Sequence, residues 1–140
     1  GQGLAGTALA WRVRERGRRV LILDPLADST SSRVAAGLVT PITGQRLAVS
    51  WRFAEMEPVA TAFYRRIEAT TGATFFHADG AVRLFRDEAE RRTYESRRDS
   101  AFAGLVRNPE PPLDASAFPA SLGGFEMPTA ARLDTKSYLD

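Results

Sequence analysis

The order of apolar and polar positions at the start of the chain predicts a helix followed by a short strand. The stretch from Thr7 to Glu15 is compatible with a helix, and a Gly-Arg-Arg break follows at residues 17–19. Val20 to Leu23 is a continuous apolar run, which is typical of a short buried strand. A polar loop from Pro25 to Ser32 comes next. A helix and a strand in this order are the building pattern of α/β folds.

A longer helix is predicted from about Ala54 to Thr70, and Pro58 would fall in its first turn. Its apolar positions recur every four residues on one face: Val59, Phe63 and Ile67. Gly72 fits the end of this helix, because glycine readily adopts the left-handed backbone of a helix C-terminus. Residues 42–52, which precede the helix, are expected to form a loop.

A hairpin is predicted in the middle of the chain. Two strand-like runs, Thr74 to His77 and Ala81 to Phe85, flank the pair Asp79-Gly80. An Asp-Gly pair between two such runs is a strong short-range hairpin signal. The sequence therefore predicts that these two strands pair with each other.

Capping residues predict a helix in the second half of the chain. Asp87 is followed three residues later by Glu90, which is a capping-box pattern for a helix that ends near Arg98. Further on, Gly123 to Met127 has the pattern of a short strand, and Asp134 to Asp140 begins another helix.

The most informative motif is Gly1-Gln2-Gly3-Leu4-Ala5-Gly6, a G-x-G-x-x-G turn, with Asp24 23 positions after its first glycine. Gly1 allows the tight turn, Gly3 lets the backbone approach a pyrophosphate, and Gly6 lets the helix pack closely. The positive end of the helix dipole favours phosphates, and the acid can accept hydrogen bonds from ribose hydroxyls. This order of turn, helix, strand and acid indicates a dinucleotide-binding βαβ unit.

Composition excludes several other classes of function. The chain has 140 residues, a net charge of +2 and no cysteine, so no thiolate can bind a metal within it. Its arginine pairs lie beside glutamates in predicted helices, and we interpret them as solvated helix faces. No apolar run approaches the roughly 20 residues of a membrane helix, and no signal peptide is visible. We expect a cytoplasmic protein with no nucleic-acid partner, no membrane segment and no metal site; His77, the single histidine, is interpreted as a half-buried strand residue.

The chain resembles the N-terminal part of FAD-dependent oxidoreductases of the D-amino acid oxidase and glycine oxidase (DAO) type. The residues that carry the resemblance are the glycine turn, Asp24 and Ser31-Ser32-Arg33-Val34-Ala35-Ala36-Gly37-Leu38. The helix that ends at Gly72 is also similar. So is Ala131-Arg132-Leu133-Asp134, where chains of this family return to the flavin domain. The resemblance implies FAD as the cofactor.

The resemblance also implies roles for individual residues. Those that would wrap the FAD pyrophosphate are Gly1, Gly3, Leu4, Ala5 and Gly6. Asp24, with Pro25 behind it, would hold the adenosine ribose, and Ser31 and Ser32 would form hydrogen bonds toward the phosphates. Those that would approach the ribityl chain and the flavin ring are Ala36, Gly37 and Leu38. Arg33 stands where several relatives carry a small residue, and it could either neutralise the pyrophosphate or face solvent.

The implied fold class is α/β: a Rossmann-like FAD-binding domain with the start of an antiparallel α+β substrate domain. The strand that should precede the glycine turn is missing from the sequence, so we expect a fragment of a longer protein. Residues 1–72 would be the N-terminal part of the FAD-binding domain, and residues 73–130 part of the substrate domain. Residues 131–140 would return to the FAD-binding domain.

The implied activity is oxidation of a C–N bond of an amino acid or small amine by hydride transfer to the flavin. The flavin part of a tRNA wobble-uridine modification enzyme is an alternative, because it has a similar Ala-Gly-x-x-x-Pro run. Two further alternatives are an NAD-dependent dehydrogenase and a non-catalytic Rossmann-like interaction module. The catalytic residues stay unknown, since in this family the substrate-binding residues lie mostly beyond the last position of the sequence.

Overall fold

The computed structural model describes residues 1–27, 29–114, 116–118 and 121–140. Short strands alternate with helices along these residues. The helices are α1 (Leu4–Glu15), α2 (Phe53–Thr71), α3 (Glu88–Arg97) and α4 (Thr135–Leu139). The strands are β1 (Leu38–Val39), β2 (Ile42–Thr43), β3 (Ala48–Val49), β4 (Phe76–His77), β5 (Ala81–Leu84), β6 (Gly124–Met127) and β7 (Ala131–Leu133).

The first two helices begin and end close to the predicted positions. Helix α1 begins at Leu4, three residues before the predicted start, because Gly3 takes an extended conformation and its carbonyl accepts the Thr7 N–H at 2.9 Å. Helix α2 ends as predicted at Gly72, whose φ of 75° is left-handed. Pro58 is the sixth residue of α2 and lies in its second turn, so its expected place in the first turn is wrong.

The two later helices begin at the predicted positions, and each starts with an aspartate cap. The Asp87 carboxylate accepts the backbone N–H of Glu90 at 2.8 Å and begins α3. In the same way, Asp134 accepts the Ser137 N–H at 3.1 Å and begins α4. Both carboxylates satisfy N–H groups that the first turn of a helix leaves without an intrahelical partner.

The predicted hairpin around Asp79-Gly80 is wrong, although the chain does bend there. Strand β4 pairs antiparallel with β7, whereas β5 pairs antiparallel with β6. Between these two ladders, residues 78–80 face residues 128–131, so one side has an extra residue, as in a β-bulge. Gly80 has a φ of 74° and donates its N–H to the Ala130 carbonyl at 3.0 Å. The result is a kinked ribbon of residues 76–84 and 124–133; His77 is half-buried in it, as predicted.

Two further segments differ from the sequence prediction. Residues 42–49 form a small hairpin in which Ile42 lies opposite Val49, whereas a loop was expected. Val20 to Leu23 pairs with no described strand, so the predicted strand is not formed. Its side chains still alternate in direction as in a strand. Val20 and Ile22 line a groove of about 460 Å³, while the Leu21 side chain between them is 84% exposed. An extended segment needs a hydrogen-bonding neighbour to become a strand, and no described residue supplies one.

Two hydrophobic clusters form the core, one on each side of the kink in the ribbon. The first contains Phe63, Ile67, Phe75, Phe76, Ala131, Leu133, Tyr138 and Leu139. The second contains Ile42, Leu47, Tyr94, Phe102, Phe125, Met127 and Ala130. Tyr64 packs on the first cluster and stacks on Phe76 at 5.1 Å between ring centroids. The first cluster fixes α1, α2 and β7 together behind the glycine turn.

Candidate functional site

Two glycines of the turn lie close to other atoms of the chain. A Cβ on Gly6 would lie 2.0 Å from the Gly1 carbonyl oxygen, so that position accepts glycine alone. A Cβ on Gly3 would lie 2.8 Å from the Ser32 hydroxyl. Gly3, the N-cap of α1, has no side chain that could cap the helix. The N-cap residue therefore leaves the helix N-terminus open to other groups, and the positive end of the helix dipole favours a bound anion there.

Asp24 lies directly beside this turn. One carboxylate oxygen accepts the Gln2 N–H at 2.6 Å, and the other accepts the Leu26 N–H at 2.8 Å. The hydrogen bond from Gln2, followed by that from Leu26, holds the pKa of Asp24 below its ordinary value. Asp24 is therefore ionised at neutral pH, and each of its oxygens keeps a lone pair for another donor.

Residues 30–34 form the third side of the site. The Ser32 hydroxyl accepts the Leu4 N–H at 3.2 Å, which connects this loop to the first turn of α1. The carbonyl of Thr30 accepts the backbone N–H groups of Arg33 at 3.0 Å and Val34 at 3.1 Å, which gives the loop one tight turn. The loop thus presents its polar side chains toward the glycine turn.

These three segments enclose a cleft of about 200 Å³. Four of the predicted site residues line it: Gly3, Asp24, Ser31 and Ser32. Gly1 adjoins the same carboxylate, since a Cβ there would lie 3.5 Å from Asp24 Oδ2. Leu4, Ala5 and Gly6 form the first turn of α1 behind the cleft, and Pro25 is exposed. The cleft is smaller than the roughly 300–1,000 Å³ of complete ligand sites, so it suits one part of a dinucleotide.

Ala36, Gly37 and Leu38 lie outside this cleft, at the edge of the sheet. Leu38 begins β1 opposite Arg132 of β7, and its side chain is 65% exposed. Gly37 has a φ of 67°, and a Cβ there would lie 1.9 Å from the Leu133 carbonyl oxygen. The Gly37 carbonyl also accepts the Leu133 N–H at 2.9 Å. The need for glycine at this position is thus already explained by contact with β7.

Residues near the end of the sequence support the site, and the sequence alone did not indicate their contacts. The Thr135 hydroxyl donates to the carbonyls of Arg33 at 3.5 Å and Ala35 at 3.2 Å. Arg33 forms an ion pair with Asp140 at 2.7 Å. The Gln2 side-chain amide donates to the Leu139 carbonyl at 3.4 Å. Because these contacts span 100 or more positions, no local pattern predicts them.

The donor set of the cleft fits a phosphate next to a ribose. Arg33 and the positive end of the α1 dipole favour negative charge, while the ionised Asp24 accepts from hydroxyl groups. The missing Cβ atoms of Gly3 and Gly6 let the Ser32 hydroxyl and the Gly1 carbonyl oxygen lie close to the turn. Among the described lining residues, Arg33 alone carries a positive charge.

A sequence model of the family described as FAD dependent oxidoreductase (DAO) matches residues 1–140. The chain belongs to this family. The prediction made from the glycine turn, Asp24 and residues 31–38 is therefore confirmed at the level of the family, and FAD is the cofactor on which the family depends.

The fold is similar to that in the crystal structure of iminodiacetate oxidase from Chelativorans sp. BNC1. The TM-score is 0.73 at 23% sequence identity, and the alignment covers 99% of this chain and 41% of that one. The chain thus spans less than half the length of that oxidase. Comparison with curated proteins gives no match. Within the described residues, no helix is long and apolar enough to cross a membrane.

Proposed function

We propose that this chain holds the pyrophosphate and the adenosine ribose of FAD in an oxidoreductase that oxidises a C–N bond of an amino acid or small amine. The observation that supports the cofactor assignment best is the convergence of Gly3, Asp24 and Ser32 on one cleft at the N-terminus of α1. This convergence occurs in a member of the FAD dependent oxidoreductase family.

Groups of different charge in the cleft would bind different parts of the cofactor. The Asp24 carboxylate would accept hydrogen bonds from ribose hydroxyls with the lone pairs that Gln2 and Leu26 leave available. The pyrophosphate would lie against the first turn of α1, where its charge meets the positive end of the helix dipole. Ser31 and Ser32 would add hydroxyl donors on the facing side.

The apolar residues on β1 would serve the other end of the cofactor. When bound, FAD supplies the hydride acceptor for the reaction. Leu38 and Ala36 are exposed and lie beside Gly37, so they offer an apolar edge along which a flat ring could be oriented.

The proposed substrate class is supported by the substrate named for the protein with the similar fold. The protein with the similar fold is named an iminodiacetate oxidase, and iminodiacetate contains C–N bonds. For this chain we propose a small amine or amino acid of the same bond type. We also propose the division of the chain into flavin-domain residues 1–72 and 131–140 and substrate-domain residues 73–130, with a parallel Rossmann sheet in the first part.

Substitution of Asp24 tests the cofactor site. In the full-length protein, Asp24→Ala should weaken FAD binding about ten- to hundredfold, because ribose hydroxyls lose a charged acceptor. The measurement is a titration of apoprotein followed by the quenching of flavin fluorescence. Asp114→Asn is the matched control, since Asp114 also accepts a backbone N–H in a loop but lies outside the cleft. Unchanged FAD affinity in a folded Asp24→Ala protein would contradict the ribose assignment.

A further inference from the structure

We infer that Arg33 binds the pyrophosphate of the cofactor and that Asp140 is a positioning residue which aims the Arg33 guanidinium at the cleft. This inference rests on the proposed FAD site and adds a charged residue to it. The glycine turn and Asp24 were indicated by motif, whereas Arg33 and Asp140 come together only in the folded chain, at 2.7 Å.

The backbone of Arg33 is fixed from two directions. Its N–H donates to the Thr30 carbonyl at 3.0 Å, and its carbonyl accepts the Thr135 hydroxyl at 3.5 Å. Its side chain is 28% exposed and lines the same cleft as Gly3 and Asp24. A side chain that starts from an anchored backbone and lines the cleft can reach a phosphate there without a change in the loop.

The charge balance of the cleft calls for a cation. Asp24 must stay ionised to accept from ribose hydroxyls, yet its negative charge repels a neighbouring pyrophosphate. The helix dipole supplies only about half a positive charge at the N-terminus of α1. Among the described residues that line the cleft, Arg33 is the one that can supply a full charge. Its guanidinium lies near enough to Asp24 to contribute to the lowered pKa of that carboxylate.

The ion pair with Asp140 leaves Arg33 able to bind a ligand. A guanidinium has five N–H donors, and the bond to Asp140 uses one of them. The Asp140 side chain is 52% exposed, and pairs of this kind contribute little to stability because water screens them. A phosphate, in contrast, can accept two parallel hydrogen bonds from the remaining edge of the guanidinium. The geometry therefore fits a role in orientation better than a role in stability.

The experiment measures binding of FAD, ADP and adenosine to the full-length apoprotein and to its Arg33→Gln and Asp140→Asn variants. Arg33→Gln should raise the Kd of FAD and of ADP about tenfold or more and leave that of adenosine within about twofold. The affinity of the wild-type protein for ADP should fall with added salt, and this dependence should be weaker in Arg33→Gln. Arg107→Gln is the control, since Arg107 also pairs with a glutamate, at 2.6 Å, outside the cleft.

The Asp140 role predicts a specific pattern of coupling. Asp140→Asn should weaken FAD binding about two- to fivefold when Arg33 is present. In a protein that already carries Arg33→Gln, adding Asp140→Asn should not weaken FAD binding further. Arg33→Lys, which keeps the charge without the planar fork, should recover only part of the affinity. Circular dichroism and thermal unfolding show whether each variant is folded.

Failure of this inference differs from failure of the proposed function. If wild-type protein binds ADP no more tightly than adenosine, or if folded Arg33→Gln binds FAD like the wild type, Arg33 is not a phosphate ligand. Loss of affinity in Asp24→Ala would then still support the FAD site. If the wild-type protein binds no FAD at all, the proposed function itself is wrong.

Discussion

The backbone at Gly37 offers a quantitative test of how β7 shapes the predicted cofactor loop. Gly37 and Gly17 have nearly the same left-handed conformation, with φ values of 67° and 68°. They differ in their surroundings, because a Cβ on Gly37 would lie 1.9 Å from the Leu133 carbonyl oxygen, whereas a Cβ on Gly17 would meet no atom within 4 Å. Alanine at the two positions therefore separates the steric contact from the strain of the dihedral.

Each substitution has a different expected effect on the free energy of unfolding. Gly17→Ala should destabilise the protein by about 1–2 kcal/mol, which is the cost of a left-handed conformation for a residue with a Cβ. Gly37→Ala should have the same dihedral cost, together with about 1 kcal/mol for a weakened hydrogen bond from Leu133 and about 1–3 kcal/mol for displaced backbone. The total for Gly37→Ala is about 3–6 kcal/mol.

Urea unfolding of the full-length apoprotein, followed by circular dichroism, measures both values. Measurement without flavin separates stability from cofactor binding, which would otherwise raise the apparent stability of whichever variant binds FAD. A Gly37→Ala protein as stable as Gly17→Ala would refute the contact with β7. If Gly37→Ala is stable but binds FAD poorly, the glycine is required by the flavin rather than by Leu133.

Two further predictions concern one buried carboxylate, Glu90, and one half-buried carboxylate, Glu68. Glu90→Gln should lower the free energy of unfolding by about 2–4 kcal/mol in urea, because the Glu90 side chain is 1% exposed and pairs with Arg83. Glu95→Gln is the control, since the Glu95 side chain is 47% exposed. An equal effect of the two substitutions would contradict this prediction. Glu68 accepts the N–H groups of residues 75 and 76 at 2.8 Å, and although burial raises its pKa, these bonds and Arg65 leave the pKa below its ordinary value of 4.5. A depressed pKa stabilises the fold above pH 4.5, and this contribution is lost as pH falls through the lower value. The stability difference between wild type and Glu68→Gln should therefore shrink in urea unfolding between pH 5 and pH 3, and a constant difference would argue against the role of the charge.

Local signals in the sequence predicted those parts of the fold that are determined locally. The cap at Asp87 and the left-handed end of α2 at Gly72 depend on neighbours within a few residues, and both are found. The pair Asp79-Gly80 also produces a bend, but the partners of β4 and β5 come from residues 124–133. A turn signal states where the chain bends and not which strand lies beside it, so the pairing could not be predicted.

In the candidate site, too, local motifs were predictable and long-range contacts were not. Gly3, Asp24 and Ser32 were named from motif and resemblance, and the structure brings them to one cleft. Asp140 was not predicted, because an ion pair across 107 positions leaves no periodic trace in a single sequence. The strand expected at residues 20–23 is missing for a related reason: apolar composition favours a strand, but a strand forms only beside another one.

The contacts of Thr135 with Ala35 and of Asp140 with Arg33 also affect the order in which parts of the site form during synthesis. They join positions 100 and 107 residues apart, so residues 33–35 of the loop leave the ribosome long before the segment that fixes them. At about 5–20 residues per second, the delay is about 5–20 s. Closing so long a loop is also entropically unfavourable until its contacts form. A nascent chain therefore acquires the finished cleft only after α4 has been translated.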